Sequence, residues 1–426
     1  MLTKSPKQAR GTAQRPEWFG YYAGYSTSFV DEALTYLNLD QDARVLDPWN
    51  GSGTTTDVVE RRGFHGVGYD LNPAVVIVAR ARLLRSDVRP SHRSLGKVIV
   101  RDSARLAAAD FLDGEPLSAW FSPKAAAALR GIERAIQRDL ISPTEYVRIA
   151  AKGSLSDISP LAAYYYVALF RTVRRLLAGF KTSNPTWTRF PESPRHRLRP
   201  STQVIHAAFD EEVERMFMGI EEAPAVTSSA QVDLGDSTSI KLGRHEVDAV
   251  VSSPPYCTRI DYAVSMRPEL AVLGMTALEF RALRLSMLGC TILGAASTST
   301  AVPDDWGASC AQLLDGIRRH PSHGSASYYY PTHVNYFASL FASYAEIARV
   351  LRPGGRAILV VQDSYYKELH TDLQAVTSQM CQGLGLTLEL RRDYSSRNTK
   401  AAVNTRRLKY RNTADATESV LVFSRS

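Results

Sequence analysis

A strand–turn–helix–strand–helix unit at residues 43–84 constrains the fold more than any other part of the sequence. Asn72 and Pro73 begin the second helix as a cap and a first helical residue. This spacing is typical of a βαβ unit and predicts a parallel sheet. The parts, in order, are the strand ARVLD (43–47), the turn WNGSG (49–53), the helix TTTDVVERRG (54–63), the strand GVGYD (66–70) and the helix NPAVVIVARARLL (72–84).

The alternation of strands and helices stops after residue 84, resumes, and is interrupted once more. Residues 85–227 are mainly helical in pattern and residues 257–332 are mixed. We expect both insertions to follow the carboxyl ends of strands, where sheets of this type place their ligands. The sequence therefore predicts an α/β fold with one doubly wound sheet, a large mainly helical insertion and a second, smaller insertion.

The last third of the chain returns to the sheet pattern. A helix at 333–351 carries a regular apolar face, and the PGG sequence at 353–355 is predicted to end it. The remaining predicted elements are a buried strand at 356–363, a helix at 367–385 and strands at 386–394 and 418–424.

Composition excludes several classes of protein. The four cysteines lack metal-ligand spacing, which argues against a zinc site and a disulfide framework and fits a reducing, cytoplasmic environment. The sequence has no run of 18 apolar residues, so it predicts no membrane span. The N-terminus is polar and basic, which predicts a flexible arm rather than a secretory signal. The net charge of +8 favours a polyanionic partner.

Two loops carry residue types suited to chemistry. In DPWNGSGTT (47–55), the glycines allow a tight turn and close approach of a ligand, and Asp70 at the end of the next strand can accept hydrogen bonds from ribose hydroxyls. In SPPY (253–256), the prolines stiffen a polar turn after the buried strand VDAVVS. There the Ser253 side chain and the Pro254 carbonyl can accept both hydrogens of an amine, and Tyr256 offers a flat face to an extruded base.

These two loops resemble those of the S-adenosylmethionine-dependent exocyclic amino-methyltransferases, with Trp49 where that family commonly has Phe. The resemblance covers about 1–84, 228–256 and 333–426, and it implies a Rossmann-like class I methyltransferase fold with a seven-stranded, mostly parallel sheet. It also implies S-adenosyl-L-methionine as cofactor, no metal, and direct transfer of a methyl group to a flipped base. The leading Ser253 resembles the N4-cytosine branch, although Ser does not exclude N6-adenine.

The resemblance also implies a division of the chain and a set of site residues. Residues 1–84 would be the cofactor-binding half, 85–227 a candidate target-recognition insertion, 228–256 the core with the catalytic loop, 257–332 a second insertion and 333–426 the rest of the core. The catalytic candidates are Ser253, Pro254, Pro255 and Tyr256. The cofactor-binding candidates are Asp47, Pro48, Trp49, Asn50, Gly51, Ser52, Gly53, Thr54, Asp70, Leu71, Asp236, Ser237, Ser26 and Thr27.

Some of these assignments have equally simple alternatives. Ser26 also fits the N-cap of a helix, and the GDS sequence that contains Asp236 also fits an ordinary turn. Cys257 is interpreted as incidental because the chemistry requires no cysteine nucleophile.

Two basic stretches, 171–199 and 391–411, are candidates for phosphate contact, the alternative being solvated charged faces. DNA is the favoured partner and RNA the alternative, with a restriction or other defence system as the setting. A protein that binds cofactor or nucleic acid without catalysis, or one that methylates a small molecule, is a further alternative. The nucleic-acid candidates are Arg189, Arg195, Arg197, Arg406, Arg407 and Lys409.

Overall fold

The structure of the chain is a computed structural model. The described residues are 2–6, 18–20, 24–84, 92–106, 114–151, 153, 155–182, 187–220, 229–257, 261–290, 302–396 and 416–426. The strands are β1 (Arg44–Asp47), β2 (His65–Asp70), β3 (Ala230–Leu234), β4 (Val247–Ser252), β5 (Leu351–Gln362), β6 (Ser364–Tyr366), β7 (Leu369–Thr371), β8 (Leu386–Ser396) and β9 (Ala416–Arg425).

The α-helices are distributed between the sheet and its two insertions. They are α1 (Thr27–Leu37), α2 (Thr54–Arg61), α3 (Pro73–Arg82), α4 (His92–Leu106), α5 (Pro123–Leu140), α6 (Pro160–Leu176), α7 (Thr202–Phe217), α8 (Tyr262–Ser265), α9 (Arg267–Val272), α10 (Ala277–Ser286), α11 (Ala308–Arg319), α12 (Tyr330–Val350) and α13 (Leu373–Gly383).

The main sheet has seven strands in the order β3-β2-β1-β4-β5-β9-β8. The pairings from β3 to β5 are parallel, and β9 runs antiparallel to both of its neighbours. The predicted doubly wound, mostly parallel seven-stranded sheet is therefore confirmed. The strand order reverses between β1 and β4, and sheets of this type bind ligands beyond the carboxyl ends of the strands at that point.

Alternation along the strands divides the core between the two faces of the sheet. Val251 and Val360 pack on one face with α1, whereas Val250 and Leu359 pack on the other with α11, α12 and α13. Both faces are apolar because helices cover both.

The large insertion is helical, as predicted, but it leaves the sheet at a different place. It follows the end of α3 and returns to the start of β3, rather than following the carboxyl end of a strand. Helices α4–α7 share one apolar core with α3 and α9, so this insertion packs against the cofactor-side edge of the sheet. The second insertion follows β4 and the SPPY loop, as expected.

Three local predictions were wrong. The PGG sequence does not itself end α12; it lies inside β5, where the register with β4 shifts, and the helix stops at Val350. The first part of the helix predicted at 367–385 is the turn and second strand of the β6–β7 hairpin, so α13 starts only at Leu373. The start of the predicted flexible arm is docked: Leu2 is fully buried, and the Glu32 carboxylate accepts hydrogen bonds from the N–H groups of Thr3 and Lys4.

Within the described residues, no helix is long and apolar enough to span a bilayer. In the same part of the chain, no three metal-ligating side chains form a cluster.

Candidate active site

The two motif loops meet where the strand order reverses. The cofactor-type loop follows β1 and the SPPY loop follows β4, and these strands are direct neighbours with Leu46 opposite Val250. The hydroxyl of Ser252, the last residue of β4, donates to Asp47 Oδ1 at the end of β1. The sheet therefore brings together two loops that are about 200 residues apart in sequence.

Asp47 is a buried anchor rather than an exposed ligand. Its Oδ2 accepts from the Tyr25 hydroxyl at 3.0 Å and from the Thr55 hydroxyl at 2.5 Å, and its Oδ1 accepts from the Trp49 N–H at 3.1 Å as well as from Ser252. Burial raises the pKa of this carboxyl, and the surrounding donors counteract the rise. Both carboxylate oxygens are engaged by the protein, so Asp47 positions the cofactor loop.

The cofactor loop is built on short hydrogen bonds and close packing. The Asn50 N–H donates to the Tyr69 carbonyl at 2.9 Å, and the Gly53 N–H donates to the Asn50 carbonyl at 2.9 Å. Gly53 has a φ of +85°, and a Cβ there would lie 2.7 Å from the Ala79 Cβ on α3, so only glycine fits this turn.

Asp70 ends β2 beside this loop, as predicted. Its Oδ2 accepts from the Gly51 N–H at 3.2 Å and its Oδ1 from the Asn72 N–H at 2.8 Å, which leaves further acceptor positions on a half-buried carboxylate. Burial raises the pKa of Asp70 to about 6, although these backbone donors lower it.

The polar groups around the loop fit a nucleoside that carries hydroxyl groups and acceptor nitrogens. Three buried donors here, Trp49 Nε1, Asn50 Nδ2 and Asn72 Nδ2, have no hydrogen-bond partner among the described residues. Buried donors are rarely left unpaired in a folded protein, so these groups are candidates to contact a ligand. Together with the Asp70 carboxylate they form a suitable donor and acceptor set.

The other cofactor candidates fall into distinct positions. Ser26 caps α1, because its side chain accepts from the Phe29 N–H, while Thr27 is exposed on the first turn. Asp236 lies just beyond β3, next to β2, and its Oδ1 accepts from Thr238 in a tight turn. The Ser237 hydroxyl instead bonds to Ser343 of α12 at 2.8 Å, so we assign this side chain to packing. The remaining candidates lie on or beside the loop: Pro48, Ser52 and Thr54 are buried and Leu71 is half-buried.

The SPPY loop is held at several atoms. The Ser253 hydroxyl donates to the Val360 carbonyl of β5 at 2.9 Å, and the Tyr336 hydroxyl of α12 donates to the Pro255 carbonyl at 2.8 Å. Just after the loop, the Ser364 hydroxyl donates to the Cys257 carbonyl at 2.8 Å. Among the described residues none donates to the Pro254 carbonyl oxygen.

Cys257 is part of the core beside this loop. It packs against the apolar cluster of α12 and β5, and burial raises the pKa of its thiol to about 12. A thiol held protonated is a poor nucleophile, which agrees with its interpretation as incidental.

Sequence reasoning missed the side chains that join these loops to the rest of the fold. Tyr25, Thr55 and Ser252 hold Asp47, and Tyr336 holds the SPPY loop. Thr55 ends the DPWNGSGTT motif, but nothing in the motif marks its side chain as a partner of Asp47, and the other three residues lie outside both motifs. Tyr25 precedes a helix cap, Thr55 and Ser252 sit inside regular elements, and Tyr336 belongs to the apolar face of a helix.

Replacing Gly68 with alanine tests the packing of the cofactor loop. A Cβ at position 68 on β2 would lie 2.5 Å from the Asn50 side chain, so the loop must shift. We expect cofactor affinity to fall between about 5-fold and about 150-fold, since overpacking a tight site costs about 1–3 kcal/mol. Isothermal titration calorimetry measures this loss. Gly179→Ala, where a Cβ has open space, is the matched control, and equal affinities for the two variants would contradict the assignment of this loop.

Comparisons with known proteins agree with the motif resemblance at a low level of identity. No protein-family profile matches the chain. The chain is 20% identical over 308 residues to the Type II methyltransferase M.AvaI of Nostoc sp., which covers 67% of this chain and 59% of that protein. It is 21% identical over 305 residues to the Type II methyltransferase M.BsoBI of Geobacillus stearothermophilus, covering 67% of this chain and 58% of that one.

The chain thus spans less than two thirds of the length of these curated relatives. A solved structure of a SAM-dependent methyltransferase from Methanosarcina mazei aligns with 92% of this chain and 96% of its own at 9% identity, with a TM-score of 0.32 that is too low to bear on function. The chain is therefore similar, at about one residue in five, to Type II methyltransferases.

Proposed function

We propose that this protein is an S-adenosyl-L-methionine-dependent methyltransferase that acts on the exocyclic amino group of a nucleic-acid base. One observation carries the proposal: the DPWNGSGTT and SPPY loops lie side by side where the strand order reverses, joined by the Ser252–Asp47 hydrogen bond. The similarity to two Type II methyltransferases supports it.

The residues around β1 and β2 would hold the cofactor. The Asp70 carboxylate would accept from ribose hydroxyls, and the Nδ2 groups of Asn50 and Asn72, which have no partner among the described residues, would donate to the ligand. Asp236 is the candidate contact for the adenine amino group, and Ser26 and Thr27 those for the methionine carboxylate. When bound, S-adenosyl-L-methionine supplies an electrophilic methyl group on its sulfonium sulfur.

The SPPY loop would prepare the amine for attack. The Ser253 proton is directed to the Val360 carbonyl, so the lone pairs of Ser253 Oγ can accept one amine hydrogen. The Pro254 carbonyl can accept the other, which frees the nitrogen lone pair to face the methyl group. The new N–C bond forms as the C–S bond breaks, and one amine proton then leaves to solvent. The rate enhancement would come from positioning of the amine and from electrostatic stabilisation by a fixed loop.

Ser253 favours cytosine N4 over adenine N6 as the target, and the large insertions favour DNA over RNA. A non-catalytic cofactor or nucleic-acid sensor is the alternative from another class, and the held SPPY loop argues against it because a sensor has no need of oriented amine acceptors.

The test incubates the purified protein with radiolabelled cofactor and either plasmid DNA or total RNA. We expect label in DNA, and single-molecule sequencing of DNA from a methylation-free host that expresses the protein should show N4-methylcytosine in one sequence context. Label in RNA alone would support the alternative substrate, and N6-methyladenine the alternative base. Cofactor binding without label in any nucleic acid would overturn the enzymatic proposal.

Cofactor affinity should depend on pH through Asp70. Ribose hydroxyls donate to the ionised carboxylate, so affinity should fall up to about tenfold per pH unit below the pKa of about 6. The free energy of unfolding changes in the opposite direction. Because the pKa of Asp70 is raised in the native state, the native protein binds a proton more readily than the unfolded chain does. The stabilisation that this protonation provides is therefore lost as the pH rises through about 6. Calorimetric titrations from pH 5 to 8 measure the affinity. Asp70→Asn should bind more weakly and show a flat profile; an unchanged slope in that variant would remove Asp70 from the site.

The first basic stretch divides into two parts. Arg171, Arg174 and Arg175 on α6 pair with Glu212, Glu269 and Glu211, so these three are structural rather than free for phosphates. The loop at 187–199 presents Arg189 and Arg195 exposed and Arg197 half-buried, and none of the three pairs with a carboxylate among the described residues.

This loop lies close to the segment that follows the SPPY loop. Phe190, 45% exposed, stacks on Trp120 with ring centroids 5.0 Å apart, and the Arg267 guanidinium of α9 lies 5.1 Å from the Phe190 ring. We therefore propose the loop as a phosphate-contacting surface. The other candidates, Arg406, Arg407 and Lys409, lie outside the described residues and stay a prediction.

Replacing Arg189, Arg195 and Arg197 together with alanine should weaken DNA binding and make it less dependent on salt. Each lost phosphate contact lowers the slope of log K against log salt by about 0.9. Fluorescence anisotropy between 50 and 200 mM salt measures both effects. The exposed Arg318 and Arg319 of α11 provide the matched control. A slope unchanged in the triple variant would exclude this surface.

A further inference from the structure

Glu418 lies at the edge of the sheet that carries the SPPY loop because β9 is antiparallel. In the parallel strands this edge holds the last residues, but in β9 it holds the first ones. Glu418 accordingly pairs with Gln362, the last residue of β5. It is 162 residues from Tyr256 in sequence, and it was not among the predicted site residues.

The Glu418 carboxylate holds the aromatic residue of the loop. The Tyr256 hydroxyl donates to Glu418 Oε1 at 3.0 Å, and Ser253 Oγ lies 3.4 Å from the same hydroxyl. Burial is the main reason why the pKa of Tyr256 lies well above its usual value, and the nearby negative charge of Glu418 raises it further. The phenol therefore keeps its proton and remains a donor. The Ser253 hydroxyl thus has two acceptors within reach, the nearer Val360 carbonyl at 2.9 Å and the Tyr256 oxygen at 3.4 Å, while Tyr256 itself donates to Glu418.

The acceptors of the Ser253 and Tyr256 hydroxyl protons determine which lone pairs of Ser253 Oγ stay free. The Tyr256 proton is directed to Glu418 and the Ser253 proton to the Val360 carbonyl, so neither occupies the lone pairs of Ser253 Oγ. Without a carboxylate at 418, the Tyr256 proton could turn to Ser253 Oγ, the other side-chain oxygen within hydrogen-bond distance of this hydroxyl among the described residues. Ser253 would then lose part of its capacity to accept an amine hydrogen.

We propose that Glu418 is a positioning residue, which fixes the Tyr256 ring and, by accepting the phenol proton, keeps Ser253 Oγ an acceptor for the target amine. This inference rests on the proposed function and deepens it, because it assigns a partner to both polar side chains of the loop.

The test is a double-mutant cycle with steady-state kinetics on the DNA substrate. Glu418→Ala should lower kcat about 10- to 100-fold with KM for DNA changed less than about threefold, because the substrate is bound but the amine is poorly held. Glu418→Gln keeps an acceptor oxygen and should recover most of the activity. In the Tyr256→Phe background no phenol proton remains to be directed, so Glu418→Ala should have no further effect. Glu389→Ala, an exposed carboxylate on β8, is the matched control.

The inference and the proposed function fail in different ways. If the wild-type protein methylates no nucleic acid, the proposed function fails, and with it any catalytic role for Glu418. If the wild type is active and Glu418→Ala has full activity, or loses the same factor in the Tyr256 and Tyr256→Phe backgrounds, only the Glu418 inference is overturned. Thermal unfolding of each variant separates loss of the fold from loss of positioning.

Discussion

Replacing Ser253 with alanine is expected to lower kcat about 10²- to 10³-fold, the size of effect seen when one preorganised hydrogen-bonding group is removed from an active site. The reason is geometric. Ser253 Oγ is fixed by its bond to the Val360 carbonyl at 2.9 Å, and alanine removes an acceptor without moving the backbone. Cofactor affinity should stay within about twofold, because none of the cofactor candidates lies on β4 or in the SPPY loop.

Stability measurements distinguish this result from simple unfolding. The serine contributes one neutral hydrogen bond to β5, so its loss should cost only about 1 kcal/mol. Ser286→Ala, an exposed serine at the end of α10, is the matched control for the substitution. A Ser253→Ala protein with full kcat on DNA would remove Ser253 from the acceptor site. A stable Ser253→Ala protein that no longer binds cofactor would show that the SPPY loop also contributes to cofactor binding.

The fold and much of the site could be predicted because the relevant signals are local. Glycines 51 and 53 define the turn after β1, and Asn72 with Pro73 defines the start of α3 within a few residues. These signals depend on backbone conformation and capping, which neighbouring residues determine. The same is true of the SPPY loop, where two prolines limit the backbone whatever surrounds it.

The parts that could not be predicted depend on distant partners. Glu418 and Tyr256 meet only because β9 pairs antiparallel with β5, and no local pattern reveals that pairing. Leu2 is buried although the N-terminal sequence is polar and basic around it, since the pocket that receives it is made by α1 and other distant residues. The sequence pattern of β7 does not distinguish it from the start of α13, because a strand of three residues is too short to show a period of two.

Asp47 joins the proposed cofactor loop to β4, which leads into the SPPY loop, and to the segment before α1, so its replacement by alanine should affect all three. Four donors, the side chains of Tyr25, Thr55 and Ser252 and the Trp49 N–H, would lose a charged acceptor in a buried site. Hydrogen bonds to a charged group contribute about 1.5–3 kcal/mol each, and a buried donor left unpaired is costly. We therefore expect a loss of at least about 3 kcal/mol in the free energy of unfolding, measured by urea denaturation.

The functional loss should exceed what unfolding explains. In the folded fraction of Asp47→Ala, the side-chain bond from Ser252 to the end of β1 is lost although the strands remain paired, so both cofactor affinity and kcat should fall, whereas Ser253→Ala lowers kcat alone. Asp47→Asn keeps one acceptor oxygen and should be intermediate in both. Asp31→Ala, which removes an exposed pair with Arg62, is the matched control and should cost less than about 1 kcal/mol. An Asp47→Ala protein that unfolded at the wild-type urea concentration would show that the two loops are held in place by the sheet alone, since adjacent parallel strands would then be sufficient to align them.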